Sequence, residues 1–170
     1  MSQTATSRLQ LVSALFLAFA MAAVVGTALG FEHLGGFIPC KLCLEERVPY
    51  YAGVPAALLA AAGAALGWRG CMTRGMLAIV ALLMTYGVIL ATYHAGAEWH
   101  WWAGPNDCGA AATSGITTDA GGLLGALDSV TPPSCDEAAG RFLGLSFAGW
   151  NVLASLTLAA VAWKAVLARD

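Results

Sequence analysis

Two cysteines separated by two residues, Cys40-Lys41-Leu42-Cys43, form the closest grouping of redox-capable side chains in the sequence. A disulfide across so short a loop gains little from restricting the unfolded chain, so a purely structural staple is a poor reading of it. Closely spaced thiols of this kind are typically redox-active, with one sulfur of lowered pKa. Pro39 precedes the pair, and Arg47 follows Cys43 by four residues, about one helical turn. A helix starting here would point its positive end at the sulfurs, and Lys41 and Arg47 add positive charge. Glu45 and Glu46 act in the opposite direction, which leaves the net shift open. The same spacing is half of a zinc site. Cys108 and Cys135 supply no second half, and His33, His94 and His100 join no ligand pattern, so the sequence disfavours a metal. No third-residue or oxyanion pattern accompanies the cysteines, which argues against a Cys-His hydrolase.

The elements that must hold these residues are membrane helices. The chain has 170 residues, of which 59% are hydrophobic and 11% charged. Its mean hydropathy is +0.71. About 25% charge is usual for a soluble domain, so there are too few charges to cover a soluble surface. Disorder is excluded on the same grounds, and a net charge of -2 provides no basic field for nucleic acid. Four apolar stretches approach the roughly 20 residues needed to span a bilayer: residues 9–31, 48–68, 75–97 and 145–163. Backbone groups in lipid must be satisfied internally, so each is expected to be a helix. The fold class is therefore an all-α four-helix membrane bundle, one domain over residues 1–170. Ala28-Leu29-Gly30 resembles a leader cleavage site, but the first apolar run is too long for a signal peptide.

Charge orients the bundle. Arg8, Arg69, Arg74, Lys164 and Arg169 lie on one side, five of the eight basic residues. Lys41, Arg47 and Arg141 lie on the other with nine of the ten acidic residues, all but Asp170. The positive-inside rule puts the first side, and both termini, in the cytoplasm. Loops at about 32–47 and 98–141 then face outward. Trp99, Trp101 and Trp102 fit an aromatic belt at the outer interface. Cys40, Cys43, Cys108 and Cys135 all fall in outer loops, where disulfides persist, and Cys71 falls in a cytoplasmic turn, where thiols stay reduced. Cys108 and Cys135 would suit a structural staple closing 28 residues. His94, near the outer end of the third span, reads equally as an interfacial histidine or as a proton or hydrogen-bond donor to a bound group. Arg47 alone would read as a snorkelling anchor. Gly63 and Gly67 form a small-xxx-small pair, better read as general Ala/Gly richness. Leu123, Leu124, Leu127 and Val130 are spaced for one short amphipathic surface helix.

Taken together, these residues resemble the disulfide bond formation protein B (DsbB) family of membrane thiol:quinone oxidoreductases. The resemblance rests on Pro39-Cys40-Lys41-Leu42-Cys43 with Glu46-Arg47, on His94, on Gly104-Pro105-Asn106-Asp107-Cys108, and on Cys135 followed by Phe142-Leu143-Gly144-Leu145. It implies that Cys108 and Cys135 exchange with a soluble DsbA-like thiol oxidase, whose thiolate attacks Cys108 and releases Cys135 towards Cys40. It implies that Cys40 and Cys43 are the quinone-proximal pair, with Cys43 the thiolate that donates electrons. Arg47, with His94 assisting, would stabilise charge at a bound ubiquinone or menaquinone. The implied setting is the bacterial inner membrane, with the redox loops in the periplasm.

A strongly oxidising partner can be regenerated only by a still stronger acceptor, since roughly 30 mV uphill costs about 1.4 kcal/mol for a two-electron couple. Cysteines alone do not supply that acceptor, and a membrane quinone does. Two other readings remain at this level: a conduit carrying reductant outward, and a non-enzymatic module with structural disulfides. Glu45 beside Glu46 and the long loop 109–134 depart from the family pattern. Cys71 has no implied role, and passive packing is expected of it.

Overall fold

The computed structural model describes residues 2–105 and 134–168, with side chains from residue 8 onward. Cys108, Arg169 and the 123–130 stretch therefore lie outside the described residues. Four long helices dominate: α1 (Ser2–His33), α2 (Lys41–Ala65), α3 (Gly70–Glu98) and α4 (Phe147–Leu167). Each contains a segment long and apolar enough to cross a membrane. Helix α2 packs on α1 and α3, α3 packs on α4, and α1 meets α4 to close the bundle.

The core is built from small residues with a few large ones between them. Ala57, Ala60, Ala61, Ala81 and Ala162 are buried with Leu17, Met21, Leu77, Val80 and Met84. Small side chains let helices approach closely, which matters where lipid removes the hydrophobic drive between them. The large apolar residues point outward instead: Phe19 is 77% exposed and Ile89 62%. That inversion suits a lipid-facing surface.

Helix α2 begins seven residues before its apolar stretch. The charges of Glu46 and Arg47 do not end the helix, because both find partners on neighbouring helices. At its other end Gly67 takes φ +70, and the Trp68 N–H donates to the Gly63 carbonyl at 2.9 Å. This is a Schellman stop. Gly67 therefore ends the helix, while a Cβ on Gly63 would meet the Trp68 ring and, at 3.4 Å, Thr73 Oγ1 on α3.

Helix α4 likewise starts later than its apolar run, since Arg141–Phe142 (β1) pairs antiparallel with Leu145–Ser146 (β2). Leu143 (φ 52) and Gly144 (φ 85) make the two-residue turn, whose primed geometry needs positive φ at both positions. Ser146 then caps α4, its Oγ accepting from the Gly149 N–H at 3.1 Å.

At the C-terminal end of α3, Trp102 lies over Gly96 and stacks on Tyr93 with centroids 6.0 Å apart. Its indole N–H donates to the Tyr93 carbonyl at 2.8 Å. A Cβ on Gly96 would come within 2.0 Å of the ring. Gly96→Ala is expected to displace Trp102 and destabilise this corner by about 1–3 kcal/mol, read as a shift in tryptophan emission and a lower midpoint of thermal unfolding.

Candidate redox site

The site forms where the N-terminal ends of α2 and α4 meet the C-terminal end of α3. Cys40 is the N-cap of α2, and its Sγ accepts from the Cys43 N–H at 3.4 Å. A cap normally falls to Ser, Thr, Asp or Asn; here the capping atom is itself a candidate reactive sulfur. One helical turn brings Cys43 back over it, with the two Sγ atoms 3.2 Å apart. Cys40 is buried and Cys43 half-buried, and both are free thiols. The pair therefore sits at the mouth of a helix rather than in a loop.

His94 on α3 faces Cys40 from the bundle interior, its Nε2 3.6 Å from the sulfur. Its Nδ1 lies 2.7 Å from Glu46 Oε1. The other Glu46 oxygen accepts from Asn151 Nδ2 on α4 at 2.6 Å. Asn151 Oδ1 accepts from the Tyr50 hydroxyl, which also meets Ser155 Oγ at 2.8 Å. The imidazole is thus clamped between a sulfur and a carboxylate, and the carboxylate is clamped by three helices. The Cys40 thiol is held well below its ordinary pKa, chiefly by its hydrogen bond with Cys43 and then by His94, against the opposing effect of burial.

Cys135 joins the pair from the segment that leads into β1. It is 1% exposed and packs with Cys40 and Leu42, with Cys43 alongside. It is itself disulfide-bonded. Asp136 Oδ1 accepts from the Gly104 N–H at 3.0 Å, tying this segment to the end of α3. Arg47 turns to α1 instead, where its guanidinium donates to Glu32 at 2.5 Å. Cys43 and Arg47 lie one turn apart on the same side of α2, as i and i+4 residues do.

Of the residues singled out in the sequence, Cys40, Cys43, His94 and Cys135 converge, Arg47 stands one turn away, and Cys108 is not described. Cys71 is exposed rather than packed, because it falls in the first turn of α3 at the far end of the bundle. The sequence reading missed Asn151 and Tyr50, and it took Glu46 as an opposing charge and a part of the family motif, with no partner assigned to it. Polar residues within apolar spans were the available signal, since such groups seldom occur in lipid without a partner.

A small cavity of about 30 Å³ lies against the sulfurs, lined among others by Cys40, Cys43, His94, Glu98 and Glu137. It has room for a water or two and none for a quinone ring. Arg47, one turn from Cys43, bonds Glu32 and Tyr51, and its guanidinium has further donors of the kind a carbonyl oxygen would accept from.

Four membrane-length helices that bring a Cys-x-x-Cys pair and a disulfide-bonded cysteine into one buried cluster define a membrane protein of thiol–disulfide chemistry. The sequence model of the family described as Disulfide bond formation protein DsbB matches residues 10–165. The chain belongs to that family, whose role is disulfide bond formation in the membrane. Comparison with curated proteins and with solved structures found no match.

Proposed function

We propose that this chain reoxidises a soluble extracytoplasmic dithiol protein of the DsbA type and passes the two electrons to a membrane quinone. The observation that carries the reading is the burial of Cys135 against Cys40 beside Cys43, because electrons can pass between two cysteine pairs only by sulfur–sulfur contact. In this reading the reduced partner attacks Cys108 and frees Cys135. The Cys135 thiolate attacks Cys40 Sγ, forming a 135–40 disulfide and expelling Cys43 as thiolate. The partner's second thiol resolves its mixed disulfide with Cys108, leaving as the oxidised partner. The freed Cys108 thiolate attacks Cys135 and returns Cys40 as a second thiolate, steadied by His94 and Glu46.

A bound quinone would supply a two-electron, two-proton acceptor, held by Arg47 at the Cys43 flank. As the electron pair departs, Cys40 Sγ closes on Cys43 Sγ and the pair is a disulfide again. The test is anaerobic turnover of the purified chain with added quinone and a reduced DsbA-like protein. Stoichiometric quinol and oxidised partner are expected; no quinone reduction would sink the proposal.

Two predictions belong with it. Arg47→Ala is expected to raise the quinone KM about tenfold or more, the lower end of what a charged hydrogen bond contributes at about 1.5–3 kcal/mol, with a smaller effect on the KM for the partner. The proposed orientation, with both termini in the cytoplasm and Cys40, Cys43, Cys108 and Cys135 on the periplasmic side of the inner membrane, predicts that a membrane-impermeant thiol reagent applied from the cytoplasmic side labels Cys71 alone. Labelling of Cys71 from the periplasmic side would refute it.

A further inference from the structure

The cavity beside the redox pair holds more potential ligands than thiol–disulfide exchange needs. Cys40 Sγ, Cys43 Sγ and His94 Nε2 all lie within 4.8 Å of one another. Glu98, one turn beyond His94 on α3, brings its Oε1 to 3.9 Å from His94 Nε2. The Glu98 side chain is only 4% exposed, yet its Oε2 has no hydrogen-bond partner among the described residues. An unpaired buried carboxylate oxygen is costly, and this one lines the same cavity as both sulfurs and the imidazole. Glu137 lines it as well, which leaves His94 as the only side chain in the lining able to carry positive charge.

We infer that the reduced site is a redox-gated binding site for a zinc-type divalent cation, with Cys40, Cys43, His94 and Glu98 as ligands. The inference rests on the reading that Cys40 and Cys43 alternate between disulfide and dithiol. Tetrahedral zinc with Zn–S about 2.3 Å and Zn–N about 2.0 Å requires S–N edges near about 3.6 Å and S–S edges near about 3.8 Å. The Cys40–His94 separation of 3.6 Å already matches. The two sulfurs, at 3.2 Å, need to part by a modest side-chain rotation.

The surrounding contacts suit a metal too. Ligating histidines usually donate their other N–H to a carboxylate that fixes the ring. His94 Nδ1 has that partner in Glu46, which Asn151 holds in turn. Two soft sulfurs, one imidazole and one carboxylate as ligands favour zinc over magnesium or calcium. Binding displaces the two protons shared by the Cys40, Cys43 and His94 set and converts both sulfurs to bound thiolates. The disulfide form has no such thiolates to offer. Occupancy therefore traps the reduced state and halts electron transfer until the metal leaves.

The test uses Co²⁺ as a spectroscopic probe on the full chain in detergent, carrying Cys71→Ser, Cys108→Ser and Cys135→Ser so that Cys40 and Cys43 are its remaining thiols. The reduced protein is expected to bind one Co²⁺ with thiolate charge-transfer and tetrahedral visible bands that Zn²⁺ bleaches. The disulfide form is expected to show none. His94→Ala and Glu98→Gln should each raise the Co²⁺ Kd about tenfold or more. Absence of the bands, or an unchanged Kd in both variants, overturns the site, the latter marking binding by the dithiol alone. Because a substituted chain can lose its fold, the unsubstituted reduced chain is assayed in parallel: Zn²⁺ should protect Cys40 and Cys43 from alkylation, and unprotected thiols count against the site. Metal-free quinone reduction by that unsubstituted chain separates the two readings. Its absence alongside intact metal binding condemns the electron-transfer function and leaves the site standing, and the converse result does the reverse.

Discussion

Cys43→Ser is expected to abolish quinone reduction, lowering kcat by about 10³-fold or more, since loss of a nucleophile removes the chemical step itself rather than tuning it. The geometry makes the loss selective. Cys40 remains the N-cap of α2, and Cys135 still packs against it, so the serine protein should accept one thiol exchange and then stall. A disulfide between Cys40 and Cys135 is expected to accumulate, formed as the Cys40 thiolate attacks Cys135 of the Cys108–Cys135 disulfide and expels Cys108, and visible by non-reducing peptide mapping. Cys40→Ser should fail at the preceding step, with Cys135 left no sulfur to attack. The two variants thus share inactivity but differ in what they trap. Retention of quinone reduction by Cys43→Ser would remove Cys43 from the electron path.

Much of this architecture was legible because lipid imposes so strict a rule on sequence. Apolar stretches with charges at their ends predict four helices, and the described residues hold four of membrane length. What the apolar count could not give was where helix and apolar run part company. Glu46 and Arg47 looked like residues outside a span, yet α2 continues through them because His94, Asn151 and Glu32 receive their charges. Leu143-Gly144 looked like the approach to a span and instead forms a tight turn, since β1 and β2 use those backbone groups before α4 begins. A hydropathy window averages over such partners and is blind to them.

The site divides in the same way. The Cys40–Cys43 spacing announces its chemistry in one dimension, because helical geometry brings i and i+3 together. The contact of His94 with Cys40 spans 54 residues, and that of Asn151 with Glu46 spans 105. Neither carries a spacing signature. The proposed metal site would be hidden in the same way, since its complement to Cys40 and Cys43 comes from one face of α3, as His94 and Glu98, rather than from a second Cys-x-x-Cys.

Glu46 is where stability and reactivity are most tightly joined. Its two carboxylate oxygens hold His94 Nδ1 and Asn151 Nδ2 at 2.7 and 2.6 Å in buried surroundings. Glu46→Ala strips both groups of their acceptor, and breaking a buried pair on one side costs about 3–5 kcal/mol. A large fall in the thermal midpoint is expected of it, with weakened packing between α2, α3 and α4. Glu46→Gln separates structure from chemistry. The amide keeps the volume and one acceptor, so most of the fold should survive, but the carboxylate charge that favours a protonated His94 is gone. With less positive charge facing it, the Cys40 thiol should titrate higher, back towards the ordinary cysteine value of about 8.5.

The sign of the pH effect follows. In the native chain the lowered Cys40 pKa keeps the sulfur anionic at neutral pH. Its stabilising contribution to the reduced protein is full above the unfolded-state value and is lost as pH falls through the folded one. Alkylation of Cys40 in the native reduced chain should therefore remain fast well below pH 8. In Glu46→Gln the midpoint of the alkylation profile should move upward while helicity is retained. A profile unchanged by that substitution would reduce Glu46 to a packing residue. A shifted profile with the fold intact would assign it the role of holding His94 in the charge state that Cys40 requires.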